Sequence, residues 1–162
     1  MYDVIALGEL LIDFAAKETD ADGYPTMNPG GAPGNFLAAL NKYGMKTAFL
    51  GKVGDDAFGK LLLKTFEKAG IETKGIVTDP SVFTTLAFVT FSPEGDRSFS
   101  FARKPGADTR LSFEEIDLAM IDEASVFHFG TLSLTDDPVR TATKKCVEYA
   151  KRQGKFITFD PN

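Results

Sequence analysis

Residues 29–35, Pro-Gly-Gly-Ala-Pro-Gly-Asn, constrain the fold of this chain more than any other stretch. The adjacent Gly30 and Gly31 let the backbone take positive φ and let a ligand come close, because no Cβ intervenes. A proline then suits the first turn of a helix, and apolar residues follow at the spacing of a buried helical stripe. The sequence therefore predicts a tight turn that leads into a helix over roughly residues 32–43. Asn35 would lie in its first turn, where its carboxamide offers a donor and an acceptor that suit a neutral polyol.

Short apolar runs alternate with helical patterns along the chain. Residues 3–8 form the first run, which predicts a strand buried on both faces, as in a parallel sheet. Asp13 follows this strand, at the edge where open α/β sheets bind ligands. Residues 19–28 are polar and rich in turn formers, which predicts a loop. Further strands are predicted over 46–53, 75–78, 124–129 and 155–159, and helices over 57–69, 113–120 and 138–153.

Residues 82–91 and 97–103 are two β-rich runs joined by a five-residue turn that contains proline and glycine. This pattern predicts an antiparallel hairpin, and hence a small accessory sheet beside the main one. The predicted fold class is therefore α/β, with a mostly parallel, Rossmann-like sheet flanked by helices. Because the sequence stops just after its last strand, with no helix to cover that face, we expect it to be the N-terminal portion of a longer protein.

Charge and composition narrow the classes of partner. The formal net charge of −5 is spread without long runs, which argues against nucleic acid or a membrane surface. Cys146 is the only cysteine, so no internal disulfide can form, and this fits a reducing cytoplasm. His128 is the only histidine, which excludes a histidine-rich metal site, and its two phenylalanine neighbours favour a place near the core. Cys146 is interpreted as core packing.

Three blocks carry a resemblance to the ribokinase-like (pfkB) carbohydrate kinases. They are residues 8–14, Gly-Glu-Leu-Leu-Ile-Asp-Phe; residues 30–35, Gly-Gly-Ala-Pro-Gly-Asn; and residues 51–59, Gly-Lys-Val-Gly-Asp-Asp-Ala-Phe-Gly. Within that family the chain most resembles bacterial fructokinases, because of its first block, the Ala-Pro of the glycine turn and residues 127–134. The resemblance runs through the whole chain in order. It implies a ribokinase-like fold, with residues 11–29 and 82–110 as elements of a small β lid.

The resemblance also implies an activity, the phosphorylation of a small sugar, D-fructose above all, by ATP with Mg²⁺. It implies that Asp13 accepts hydrogen bonds from sugar hydroxyls, which an ionised carboxylate does strongly. It further implies that Gly30 and Gly31 lie against the sugar and that Asn35 binds a hydroxyl. Arg103 resembles an arginine on the lid side of the sugar. The lid is expected to close over the sugar, which would exclude water, and to form a homodimer contact.

The catalytic aspartate of the family belongs to a Gly-Ala-Gly-Asp segment in the C-terminal half, which is absent from these residues. The 162 residues are therefore expected to be inactive by themselves, since they supply only the part that binds the sugar, the acceptor of the phosphoryl group. Asp160 and Asn162 lie where the family begins its nucleotide-side residues, and we assign Asn162 to the cofactor. Asp55 and Asp56 follow a predicted strand; they could bind phosphate or metal, but capping of the next helix is the favoured interpretation.

Two other classes of function stay open. A dinucleotide-binding domain is disfavoured because the turn lacks the G-x-G-x-x-G spacing and no buried strand precedes it. A non-catalytic sugar-binding module would fit if the chain is complete. Among kinase substrates, 2-keto-3-deoxygluconate follows fructose, and ribose and nucleosides come next. Ribose is disfavoured because Ala32 stands where ribokinases usually carry lysine and Leu11 replaces their asparagine.

Overall fold

The computed structural model describes residues 1–15, 25–91 and 96–161, so Asn162 lies outside the described residues. In chain order the strands are β1 (Tyr2–Leu7), β2 (Leu11–Ala15), β3 (Thr26–Gly30), β4 (Thr47–Gly54), β5 (Ile71–Glu72), β6 (Ile76–Asp79), β7 (Leu86–Phe91), β8 (Arg97–Ala102), β9 (Ala124–Gly130) and β10 (Phe156–Asp160). The helices are α1 (Ala32–Lys42), α2 (Ala57–Lys68), α3 (Leu118–Asp122) and α4 (Val139–Arg152).

The main sheet has the strand order β10-β9-β1-β4-β5, with β6 also paired to β4, and all of its pairs are parallel. Successive residues of β1 point to opposite faces, so Val4 and Ala6 pack with α1 and α2, whereas Ile5 and Leu7 pack with α4. Helices therefore cover both faces. The predicted α/β class with a mostly parallel sheet is confirmed, and Cys146 is buried on the core face of α4 as interpreted.

A second sheet, which we call the lid sheet, has the strand order β3-β2-β7-β8. The β7–β8 hairpin is antiparallel as predicted, and β2–β3 is antiparallel too, while the central β2–β7 pair is parallel. One face packs on α2, where Phe14 stacks on Phe88 at 5.5 Å and meets Phe58 edge-on at 6.0 Å. The opposite face carries Asp13 and is turned away from α2.

Two local predictions were wrong. Residues 26–28, predicted as part of a loop, belong to β3; the strand is exposed apart from Gly30, so it carries no alternation of polar and apolar residues to reveal it. The rest of that predicted loop, up to residue 24, lies outside the described residues. The single helix predicted over 113–120 is divided into a 3₁₀ turn, Phe113–Glu115, and α3. The Ser112 amide donates to Glu115 as the capping box requires, but Asp117 then caps a separate helix by accepting from Ala119.

Asp56 is the N-cap of α2, which confirms the capping interpretation for this residue. Its Oδ1 accepts from the amides of Phe58 at 2.9 Å and Gly59 at 2.8 Å. Its Oδ2 accepts from the amide of Thr84 at 2.7 Å and so ties α2 to the approach of β7. Asp55, in contrast, is exposed, and its carboxylate forms an ion pair with exposed Lys60 at 2.9 Å.

Replacing Asp56 by alanine is expected to lower the free energy of unfolding by about 2–3 kcal/mol, because a helix cap and the Thr84 contact are lost together. Asp55→Ala is the matched control and should leave the denaturation midpoint almost unchanged, since exposed ion pairs contribute little. Chemical denaturation of both variants measures the difference. Equal effects of the two substitutions would contradict the assigned cap.

Candidate functional site

A cavity of about 450 Å³ lies between the lid sheet and the N-terminus of α1. The chain contributes to its lining after β1, along β2 and β3, at the glycine turn before α1, along β7 and β8, and after β9. Asp13, Gly31 and Asn35 line it together, and Gly30 adjoins Asp13. The remaining lining residues are Glu9, Leu11, Ala15, Asn28, Ala32, Val89, Phe91, Arg97, Phe99, Phe101 and Leu132. Four of the residues predicted from the sequence to contact substrate are thus brought to one place.

Asp13 presents a carboxylate with unused acceptors to this cavity. It lies on β2 opposite Asn28 of β3, and it accepts no hydrogen bond from any residue that the structure describes. Partial burial raises its pKa above the ordinary value. Gly30 leaves the room that this side chain occupies, because a Cβ there would lie 2.1 Å from Oδ2 of Asp13. The carboxylate is therefore held at the cavity and is available to a ligand.

The glycine turn has the strained geometry that only glycine accepts readily. Gly31 has φ of +118°, and a Cβ on it would lie 2.4 Å from the main-chain oxygen of Glu9. α1 begins at the next residue, and the Asn35 amide donates to the Gly31 carbonyl at 3.0 Å, so Asn35 lies in the first turn as predicted. Its carboxamide makes no hydrogen bond within residues 1–15, 25–91 and 96–161. The turn thus offers a second polar group to the cavity.

Glu9 is a site residue that the sequence reasoning missed. It follows β1, is 2% exposed, and its Oε1 accepts from the Ala32 amide at 2.9 Å. Its Oε2 is buried and has no partner within the described part of the chain. Burial raises the pKa of Glu9 to about 7. The sequence does carry a signal for Glu9, because it is an acidic residue close after a predicted buried strand and lies in the same block as Asp13.

Because its pKa is raised, Glu9 is expected to make the folded protein less stable as the pH rises. Below its ordinary value of 4.5 the carboxyl is protonated in the folded and unfolded states alike, so it contributes no penalty. As the pH rises through about 7, the folded protein must hold a buried, ionised carboxylate. Glu9→Gln cannot ionise, so its advantage over the wild type in free energy of unfolding should grow by about 2–3 kcal/mol between about pH 5 and about pH 8.

Chemical denaturation of both proteins across this range of pH measures that advantage. Other titrating groups are shared by the two proteins and cancel in the difference. An advantage that stays constant with pH would show that Glu9 is not protonated in the folded state near neutrality.

Arg103, in contrast, does not line the cavity. Its guanidinium, 8% exposed, pairs with buried Asp108 at 2.7 Å and donates to the Leu132 carbonyl at 2.8 Å and to Thr135 Oγ1 at 2.8 Å. These contacts tie the end of β8 to the turn that follows β9, so the structure gives Arg103 a supporting place where the resemblance implied one near the sugar. Arg97 is the arginine that lines the cavity, with its guanidinium 6.0 Å from the centre of the Phe91 ring.

The other polar candidates lie away from the cavity or in the core. His128 is 5% exposed, with Nδ1 2.9 Å from Thr158 Oγ1 and its ring 4.2 Å from that of Phe36, as expected for a residue near the core. Burial lowers its pKa. In the described part of the chain no three His, Cys, Asp or Glu side chains come together as a metal site. None of the described helices combines the length and the apolar character needed to cross a bilayer.

Known proteins are similar to this chain over nearly its whole length. The family model described as "pfkB family carbohydrate kinase" matches residues 1–162. Probable fructokinase-2 of Arabidopsis thaliana is 41% identical over 98% of this chain and 50% of its own length. The fructokinase of Solanum tuberosum is also 41% identical, over 98% of this chain and 51% of its own. The chain thus spans about half the length of the curated relatives it matches.

Solved structures show the same fold. The fructokinase from Xylella fastidiosa superposes on 100% of this chain with a TM-score of 0.91 and 34% identity, and the match covers 51% of that protein. The same fructokinase with bound ATP gives a TM-score of 0.90 at 35% identity, over 100% of this chain and 52% of its own. This chain therefore shares its overall fold with about half the length of each of these enzymes.

Proposed function

This chain belongs to the pfkB family of carbohydrate kinases, and on that premise we propose that it forms the sugar-binding half of an ATP-dependent fructokinase. The observation that carries the proposal is the convergence of Asp13, Gly31 and Asn35 on one cavity. Asp13 lies 18 residues before Gly31 and 22 before Asn35 in the sequence. The side chains of Asp13 and Asn35 make no hydrogen bond with any residue that the structure describes. A small polyhydroxylated ligand requires hydrogen-bond acceptors and donors, which Asp13 and Asn35 offer, next to backbone that it can approach closely, as at Gly31.

Each residue has a separate part in holding the sugar. Asp13 accepts hydrogen bonds from hydroxyls, and its carboxylate orients the sugar relative to the lid sheet. Gly30 and Gly31 let the ring come against the backbone, and Asn35 binds a further hydroxyl. The result is a fixed acceptor hydroxymethyl group, and such positioning is the main contribution that a protein makes to phosphoryl transfer.

ATP and Mg²⁺ are proposed as cofactors of the complete protein. ATP supplies the phosphoryl group and Mg²⁺ neutralises its charge. The ATP-bound fructokinase from Xylella fastidiosa supports the nucleotide. Among the described residues of this chain, no three His, Cys, Asp or Glu side chains come together to hold the metal. Asn162 remains our proposal for a nucleotide-side contact, and the catalytic aspartate is proposed to lie in the half that the relatives have in addition.

The lid sheet is proposed to close over the sugar and to provide a homodimer contact. Phe99 and Phe101, on the face of this sheet that carries Asp13, are each more than 40% exposed, which supports a surface that is covered in the working enzyme. A reducing cytoplasm is the proposed location, since the single cysteine is buried and unpaired. Sedimentation of the full-length wild type and of its Phe99→Ser variant tests the dimer.

The function is tested by measuring ADP release by the full-length protein with D-fructose, 2-keto-3-deoxygluconate, D-ribose and a nucleoside. We expect kcat/KM for fructose to exceed that for each of the others by at least about 10-fold. A higher value for ribose or the nucleoside, or ADP release that no sugar accelerates, would overturn the proposal.

A second substrate, 2-keto-3-deoxygluconate, is favoured by one observation. Arg97 lines the cavity and carries a positive charge that would attract the carboxylate of this sugar acid. The two acidic residues of the cavity, Asp13 and Glu9, oppose it. Arg97→Gln distinguishes the two, because it should lower kcat/KM sharply for the sugar acid and only slightly for fructose.

A further inference from the structure

Glu9 lies where two cavities meet. It lines the cavity that holds Asp13 and Asn35, and it also lines an adjoining cavity of about 250 Å³ that extends to Gly130 and Thr131. The two cavities share the residues Glu9, Ala32, Phe99, Phe101 and Leu132. A ligand that occupies both cavities therefore comes into contact with Glu9.

The orientation of the Glu9 carboxyl group is fixed, and one of its oxygens is unused. Oε1 accepts the first amide of α1, from Ala32, at 2.9 Å. Oε2 is buried and has no hydrogen-bond partner among residues 1–15, 25–91 and 96–161. Nearly all buried polar atoms in folded proteins have a partner, and leaving one unsatisfied is unfavourable. A ligand that donates a hydrogen bond to Oε2 would therefore supply the partner that this atom lacks.

The charges around Glu9 indicate which ligand group fits. Arg103 and Asp108 are the charged residues whose fields act on it, and they form a buried ion pair with each other. Asp108 raises the pKa of Glu9 and Arg103 lowers it by a smaller amount, so this pair supplies no net positive charge to the Glu9 carboxyl. A hydroxyl suits this position because it can donate to an ionised carboxylate or accept from a protonated one. An anionic group would be repelled by Asp13 and by ionised Glu9.

We propose that Glu9 is a specificity-determining residue whose Oε2 binds a hydroxyl of a neutral sugar, next to the hydroxyls held by Asp13. This inference rests on the proposed function, and it narrows the substrate class to sugars that are uncharged at that end. It gives Glu9 a ligand contact in addition to its bond with Ala32.

The test uses the full-length protein and a set of deoxy analogues of D-fructose, each lacking one hydroxyl. For one analogue, wild-type kcat/KM should fall about 10- to 100-fold relative to fructose, because Oε2 is then left unpaired. In Glu9→Ala this ratio should shrink to less than about 3-fold, since the partner is gone. The ratios for the other analogues should stay as in the wild type.

A purely structural role gives a different pattern. If Glu9 only holds the glycine turn, Glu9→Ala lowers kcat/KM for fructose and for every analogue by the same factor, and the inference is overturned. Glu9→Gln keeps an acceptor for the Ala32 amide and serves if the alanine variant does not fold. Glu9→Gln should change the ratio of kcat/KM between fructose and the one analogue that lacks the hydroxyl bound by Oε2. If this ratio is unchanged for every analogue, the inference is again overturned.

Failure of the proposed function is visible separately. In that case the wild-type protein phosphorylates no neutral sugar, before any Glu9 variant is made, and both proposals fall together. If fructose is a good substrate and no single analogue responds to Glu9, only the inference falls.

Discussion

Replacing Asp13 by alanine is expected to lower kcat/KM for D-fructose by about 100- to 1,000-fold in the full-length protein. The carboxylate accepts nothing from the described residues, so its hydrogen-bonding capacity is available to the sugar. Removing it leaves sugar hydroxyls unpaired inside a cavity. KM should rise, and kcat should fall as well, because a misplaced acceptor hydroxyl loses its attack geometry.

Two further variants make the Asp13 result specific. Asp13→Asn keeps the size of the side chain and loses its charge, so its activity should lie between that of the wild type and Asp13→Ala. Glu148→Ala removes an exposed carboxylate from α4, away from the cavity, and should leave kcat/KM unchanged. Wild-type kinetics in Asp13→Ala would refute the assigned sugar contact.

The second large effect is expected from Gly31→Ala, which should lower the free energy of unfolding by about 3 kcal/mol. A side chain at φ of +118° is strained, and its Cβ would lie 2.4 Å from the Glu9 main-chain oxygen, which cannot move without moving the end of β1. Relief of this overlap would shift the turn that carries Asn35. We therefore expect kcat/KM to fall at least about 100-fold even in the fraction that folds.

Gly44→Ala is the matched control for Gly31→Ala. Gly44 also has positive φ, +82°, but a Cβ there would have no neighbour within 4 Å. Gly44→Ala should lower the free energy of unfolding by about 1 kcal/mol through backbone strain alone and leave kcat/KM unchanged. If the two variants behaved alike, the close approach of the Gly31 turn to Glu9 would have no functional importance.

Much of the fold was predictable because the signals are local. The runs that became β1, β4 and β9 are apolar on both faces, and the patterns that became α1, α2 and α4 have helical spacing and end near glycine. The division at Asp117 was missed because a second cap, only a few residues after Ser112, competes with continuation of the first turn. The strand β3 was missed because an exposed edge strand needs no apolar face.

The sequence by itself determined the alternation of buried strands and helices, the glycine turn that opens α1, and, through its three motif blocks, the family. Only the tertiary structure decided which polar groups are engaged. Arg103 is committed to Asp108 and to Leu132, 29 residues further on, whereas the Glu9 carboxyl is fixed by an amide 23 residues away and keeps one oxygen unpaired. The physical reason is that periodicity reports burial along one segment, while a hydrogen bond between distant segments depends on where the sheet brings them together.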